Sequence, residues 1–180
     1  MRVRDRDLRD AAQFLDPRDR RVVDQPDAVP EEVAPGRLDQ EGPLADAERP
    51  WVMRPDPCIR FWKDERQTLL GTLPLIRTGG HFEGYQVLLW PAGAGGRGAL
   101  MAGDQPQICM DPKQVSFMWS YPNYIPLNAP AIRHVLECLE ALEFDRIYGA
   151  FFVRGKGIIP SQGKEIVRRS ADRYLKAIHG

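Results

Sequence analysis

Thr78-Gly79-Gly80-His81-Phe82-Glu83-Gly84 is followed, one apolar segment later, by Ala102-Gly103-Asp104. An imidazole on a Gly-rich turn and a carboxylate at the end of a later strand are two ligand types that a sheet could hold rigidly for a divalent cation. Hydrolytic metal sites need such donors to converge on one point, with a coordination position left for water. Gly80 and Gly84 would let the backbone turn sharply around His81. One histidine and one aspartate are not specific by themselves. A lone histidine beside a turn is more often a hydrogen-bonded structural residue than a ligand, so both readings stand at this point.

The segments around the pair set out the elements that must hold it. Leu73-Pro74-Leu75-Ile76-Arg77, Tyr85-Gln86-Val87-Leu88-Leu89-Trp90 and Gly98-Ala99-Leu100-Met101-Ala102 are predicted strands. The last two are joined by the hairpin-type loop Pro91-Ala92-Gly93-Ala94-Gly95-Gly96-Arg97. Ile59-Arg60-Phe61-Trp62 reads as a short strand or turn, Val115 to Trp119 as a further extended piece, and Phe144 to Gly149 as a strand entering a turn. Two helices are expected. Asn128 is a fitting N-cap with Pro130 in the first turn, and Ile132, Val135, Leu136, Leu139 and Leu142 form one apolar stripe. A last helix runs from about Lys164 to Ile178, with Ile166, Val167, Tyr174, Leu175 and Ile178 inward. His134 falls on the polar side of the first helix and His179 at the end of the second, so both are expected to be solvated.

The chain has 180 residues, 43% hydrophobic and 28% charged, with zero formal net charge. That length suits one domain. Neutrality gives no electrostatic case for nucleic acid or a membrane surface as the main partner. No apolar run is long enough to span a bilayer, and the charged start is no signal peptide. Cys58, Cys109 and Cys138 form neither a zinc-type pair nor a disulfide framework, so a cytoplasmic location is expected. The first 45 residues alternate Arg with Asp, contain no Lys and have one aromatic, Phe14. Their apolar content is too low to offset the ordering entropy, which predicts disorder apart from a marginal helix near Asp7–Leu15. The same composition also fits translation of GC-rich DNA in a shifted frame.

The stretch from Leu75 to Gln105 resembles the second half of metallo-β-lactamase-fold hydrolases. The resemblance extends through Trp51-Val52-Met53-Arg54-Pro55, Phe61-Trp62, Ser116 to Asn123, Phe144 to Gly149 and Arg169 to Tyr174. It implies an α/β (α+β) fold, a partial αββα sandwich in which residues 46–180 are the C-terminal half of the domain. It also implies zinc as cofactor, with His81 and Asp104 as inherited metal ligands. The family's His-x-His-x-Asp-His run is absent, because the three histidines are His81, His134 and His179. The last ligand histidine has no counterpart either; Tyr148 stands in its place and would line the site without binding metal well. No catalytic residue is therefore assigned.

With two donors the site is one short of a three-ligand catalytic minimum. The expectation is a hydrolase by ancestry that does not turn over by itself. The alternative is a non-catalytic binding or assembly module that pairs, with itself or with a complementing chain, through its exposed half-sheet. Other features carry milder expectations. Phe117, Trp119, Tyr121 and Tyr124 pack under a proline-rich loop or line a cleft. Asp145 and Arg146 form a surface or helix-bridging ion pair. Arg168, Arg169 and Arg173 form a solvated helix face or meet an anionic substrate. Cys109 is a buried thiol or lies at the mouth of the site.

Overall fold

The computed structural model describes residues 42–151 and 157–179, all within one unit, Gly36–Gly180. The expected disorder of residues 1–41, the helix near Asp7–Leu15, and the side chain of His179 lie outside the described residues. The fold is mixed α and β, as expected. Within the first 45 residues, one part departs from expectation. Gly42–Ala45 is a strand, β1, pairing in parallel with β2 (Ile59–Trp62), and Ala45 is fully buried. Trp62 and Leu75 close over Ala45, a small apolar cluster that the charged sequence upstream does not announce. A short 3-10 helix, Asp46–Trp51, follows β1.

The main sheet has six strands in the order β12-β11-β6-β5-β4-β3. β3 (Arg66–Leu69), β4 (Leu73–Arg77), β5 (Gln86–Trp90) and β6 (Ala99–Gly103) form an antiparallel meander. The β5–β6 loop contains one helical turn, α1 (Gly93–Gly96), with left-handed Ala94 and Gly95. β11 (Arg146–Gly149) joins β6 in parallel, and β12 (Ile158–Ile159) closes that edge. Between β6 and β11 lie two small hairpins, β7 (Gln107–Ile108) with β8 (Val115–Ser116) and β9 (Met118–Ser120) with β10 (Ile125–Pro126), and then α2 (Ala129–Glu140). The chain closes on α3 (Gly163–His179).

The period-2 alternation of the strands divides the sheet into two faces. Ile76, Val87, Leu89, Leu100, Ala102 and Ile147 point to one core, where they meet Ile132, Val135 and Leu139 of α2 and Ile166, Val167 and Ala171 of α3. α2 begins as its sequence requires: the Asn128 side chain accepts the Ala131 N–H at 2.9 Å, and Pro130 sits where its missing N–H costs nothing. Ile178, expected to face inward, is instead 39% exposed. The opposite face carries a register row, Leu75–Leu88–Met101–Tyr148–Ile158, one apolar side chain from each of five strands. Among the described residues, Ala45 of β1 and Trp62 of β2 pack at its Leu75–Leu88 end.

Candidate functional site

The turn carrying His81 closes between β4 and β5. The N–H groups of Thr78 and Gly79 both donate to the Tyr85 carbonyl, at 2.8 and 3.0 Å. Asp104 sits just beyond the carboxyl end of β6, where Gly103 adopts a left-handed φ of 60° and the Gln105 N–H donates back to Ala102 O at 3.1 Å. The structure binds these two turns directly to each other. Gln105 is fully buried, and its Nε2 donates to the Gly79 carbonyl at 2.8 Å.

Two tyrosines add to the link. The Tyr85 hydroxyl donates to Ala102 O at 2.8 Å and accepts the N–H groups of Asp104 and Gln105. The Tyr121 hydroxyl donates to the Asp104 carbonyl at 3.0 Å. Both rings stand edge-on to the His81 imidazole, with centroids 5.9 and 5.5 Å away. Burial penalises both phenolates, pushing Tyr85 up to about 12 and Tyr121 higher still. Both hydroxyls therefore stay protonated, as donors, across the physiological range.

His81 Nδ1 lies 3.1 Å from the Met118 carbonyl. A carbonyl only accepts, so the proton is on Nδ1 and the lone pair of the neutral ring is on Nε2. Backbone anchoring of one ring nitrogen is how proteins orient a histidine whose other nitrogen is to bind a metal or a proton. It is also how a purely structural histidine is satisfied. The donor count separates the two. Among the described residues, no three His, Cys, Asp or Glu side chains stand together as a metal would need. His81 and Asp104 do not by themselves fit a held zinc ion, and no catalytic step is derived through one.

The remaining expected residues are scattered. Tyr148 lies within β11, and its hydroxyl accepts from Arg146 Nη1 at 3.3 Å. The aromatic group divides: Phe117 is fully buried against Tyr174, Tyr121 joins the site, and Trp119 and Tyr124 are exposed. Asp145 pairs with Arg97 at 2.9 Å and accepts the Gln162 N–H, and the charges of Arg97 and Arg146 both favour its ionised form. The Cys109 thiol is half-buried, and its pKa is raised mainly by desolvation. His134 is exposed, with Nε2 3.7 Å from Cys138 Sγ.

Sequence reasoning passed over Tyr85, Gln105 and Glu48, whose carboxylate accepts the Gly84 N–H at 2.6 Å. The available signal was a polar Gln between the strand-end Asp104 and Pro106, and a Tyr directly after the Gly-rich turn.

No protein-family profile matches the chain. Over 132 residues it is 40% identical to the uncharacterized protein YmaE of Bacillus subtilis (strain 168). That match takes in 73% of this chain and 47% of YmaE, so the chain spans about half the length of this relative. Three similar solved structures are metallo-beta-lactamase proteins. One is the metallo-beta-lactamase family protein TTHA1429 from Thermus thermophilus, at 20% identity and TM-score 0.39, covering 69% of this chain and 36% of that one. A B3 metallo-beta-lactamase with an active-site glutamic acid gives 20% identity and TM-score 0.38, over 66% and 45% of the two chains. The metallo-beta-lactamase SMB-1, bound to 2-mercaptoethanesulfonate, gives 16% and 0.38, over 69% and 52%.

Proposed function

We propose that this chain carries the strand-end half of a metal-dependent hydrolase site, and that it does not hydrolyse substrate by itself. The observation that carries this reading is the direct fastening of the His81 turn to the Asp104 turn. Gln105, Tyr85 and Tyr121 hold an imidazole and a carboxylate-bearing loop in fixed relation, which is what a preorganised ligand pair requires. The missing donors would be supplied by a complementing chain. Zinc is the metal that the sequence resemblance implies, and a carbonyl ester, thioester or lactam is the corresponding substrate class.

The register row from Leu75 to Ile158 favours a second reading, that of an assembly module whose sheet face pairs with another chain without catalysis. Metal content separates the two. In the half-site reading, the chain purified from zinc-supplemented medium carries less than one zinc per chain, and His81→Ala removes what is there. Zinc content unchanged by His81→Ala and by Asp104→Asn would leave only the assembly reading. Stoichiometric zinc together with ester or lactam hydrolysis by the chain alone would overturn the claim that it is inactive by itself.

A further inference from the structure

Away from His81, a cavity of about 430 Å³ opens between the β7–β8 turn and one side of α3, lined by Asp111, Lys113, Gln114, Arg169, Ser170 and Arg173. The turn is tightly built. The Asp111 carboxylate accepts the Lys113 N–H at 3.0 Å, and the Gln114 N–H donates to Asp111 O at 3.1 Å. Arg169 and Arg173 are four residues apart on α3 and therefore share a face. Arg169 is steered onto the turn by one bond, from Nη2 to the Lys113 carbonyl at 2.8 Å, which leaves most of its donor fork unused. Ser170, 3% exposed, accepts the Val115 N–H at 3.1 Å and fixes the helix against β8.

The charge balance distinguishes this place from the rest of α3. Arg168 is paired with Glu140, and Lys164 with Glu143. Lys113, Arg169 and Arg173 have no carboxylate oxygen within 4.0 Å among the described residues. Three cations around one carboxylate leave a concave surface with a net charge of two. Two guanidinium groups offer planar donor pairs, which match the oxygens of phosphate better than a lysine cluster would. The volume lies within the range of small-molecule sites and is larger than a bare oxyanion needs.

We propose that this cavity binds a dianionic phosphoryl group, and that its ligand is a small phosphate monoester whose organic part occupies the remaining volume. Arg169 and Arg173 grip the phosphoryl oxygens, Lys113 adds charge, and Asp111 accepts from a hydroxyl of the organic part. This assignment is independent of the His81–Asp104 site.

Calorimetric titration of the full chain tests it, with glycerol 3-phosphate as the monoester, inorganic phosphate as the free ion, and acetate and glycerol as controls. Glycerol 3-phosphate is expected to bind more tightly than phosphate, with neither control binding. Losing one charge-assisted contact in Arg173→Gln or Arg169→Gln should weaken binding about tenfold or more. Arg168→Gln removes the same charge one residue away, outside the cavity, and should leave binding nearly unchanged. Arg173→Gln breaks no hydrogen bond or ion pair within the described protein, so its fold is retained and its result is decisive even if Arg169→Gln loosens the turn. Inorganic phosphate binding as tightly as the ester would assign the same dianion site to the free ion and overturn the monoester. Equal binding of acetate, equal loss in Arg168→Gln, or no binding of either phosphate would overturn the site.

Discussion

The side-chain amide of Gln105 occupies the space that a Cβ on Gly80 would need: an added Cβ would lie 2.1 Å from Gln105 Nε2. Gly80 also holds φ at 95°, where L side chains are strained. The two effects compound, because Gln105 cannot withdraw without giving up its bond to the Gly79 carbonyl. Gly80→Ala should therefore destabilise the chain by about 2 kcal/mol or more, read as a lower denaturant midpoint. A change below about 0.5 kcal/mol would mean that the two turns are not fastened as described.

Tyr85→Phe keeps the ring and removes only the hydroxyl. The Asp104 N–H then loses the acceptor it has in the structure, while the Gln105 N–H and the Ala102 carbonyl each lose one bond and keep their bond to each other. Leaving partly buried polar groups unpaired should cost about 1–3 kcal/mol in chemical denaturation. Tyr121→Phe gives up a single backbone partner, Asp104 O, and a contact to Ser116, so it should cost less.

The same hydroxyl predicts a pH dependence. Burial raises Tyr85 from an ordinary 10.0 to about 12, so the folded chain keeps this proton where the unfolded chain has released it. The corresponding stability is fully present below pH 10 and is lost as pH rises through 12. Tyr121 and Tyr174 are shifted in the same direction. Unfolding midpoints should thus fall steeply in alkali, and more shallowly in Tyr85→Phe. An identical alkaline slope in both proteins would contradict the assignment.

At the start of α2, Asn128→Ala leaves the Ala131 N–H without its side-chain acceptor. A loss of about 1 kcal/mol is expected by denaturation, with Asn128→Asp close to the parent.

How much of this was legible follows from what each residue depends on. β4 was readable to the residue, Leu73–Arg77, because period-2 alternation and flanking turn residues are local signals. The helix start at Asn128 was readable for the same reason. β1 was not, because Gly42–Ala45 is polar-flanked and short and becomes a strand only by pairing with Ile59–Trp62. β3 was hidden in a charged corner, where Arg66 and Gln67 take strand form through the register of β4. In the site, His81 and Asp104 could be picked out by residue type. What joins them, Gln105 and Tyr85, could not, since a buried amide reaching a carbonyl 26 positions away is a tertiary fact. For the two Arg of the basic cavity the sequence left both a solvated face and a meeting with an anionic substrate open, because the β7–β8 turn that lines the cavity with them is brought there by the fold.

The sheet row gives the last prediction. Leu88, Met101 and Tyr148 stand opposite one another on three adjacent strands, on the face turned away from α2 and α3. Apolar side chains there contribute little to the helix-side core, so Met101→Lys should shift the denaturation midpoint by no more than about 1 kcal/mol. A charge in the middle of an apolar contact between chains is far more costly, because it must be desolvated without a partner. If a complementing chain covers this face, Met101→Lys should abolish association seen by sedimentation while leaving the chain folded. Leu88→Lys would test the row less cleanly, since Leu88 also packs against the Ala45–Trp62–Leu75 cluster. Association of Met101→Lys at the parent's strength would remove this face as the pairing surface and would require the missing donors of the His81–Asp104 site to arrive by another route.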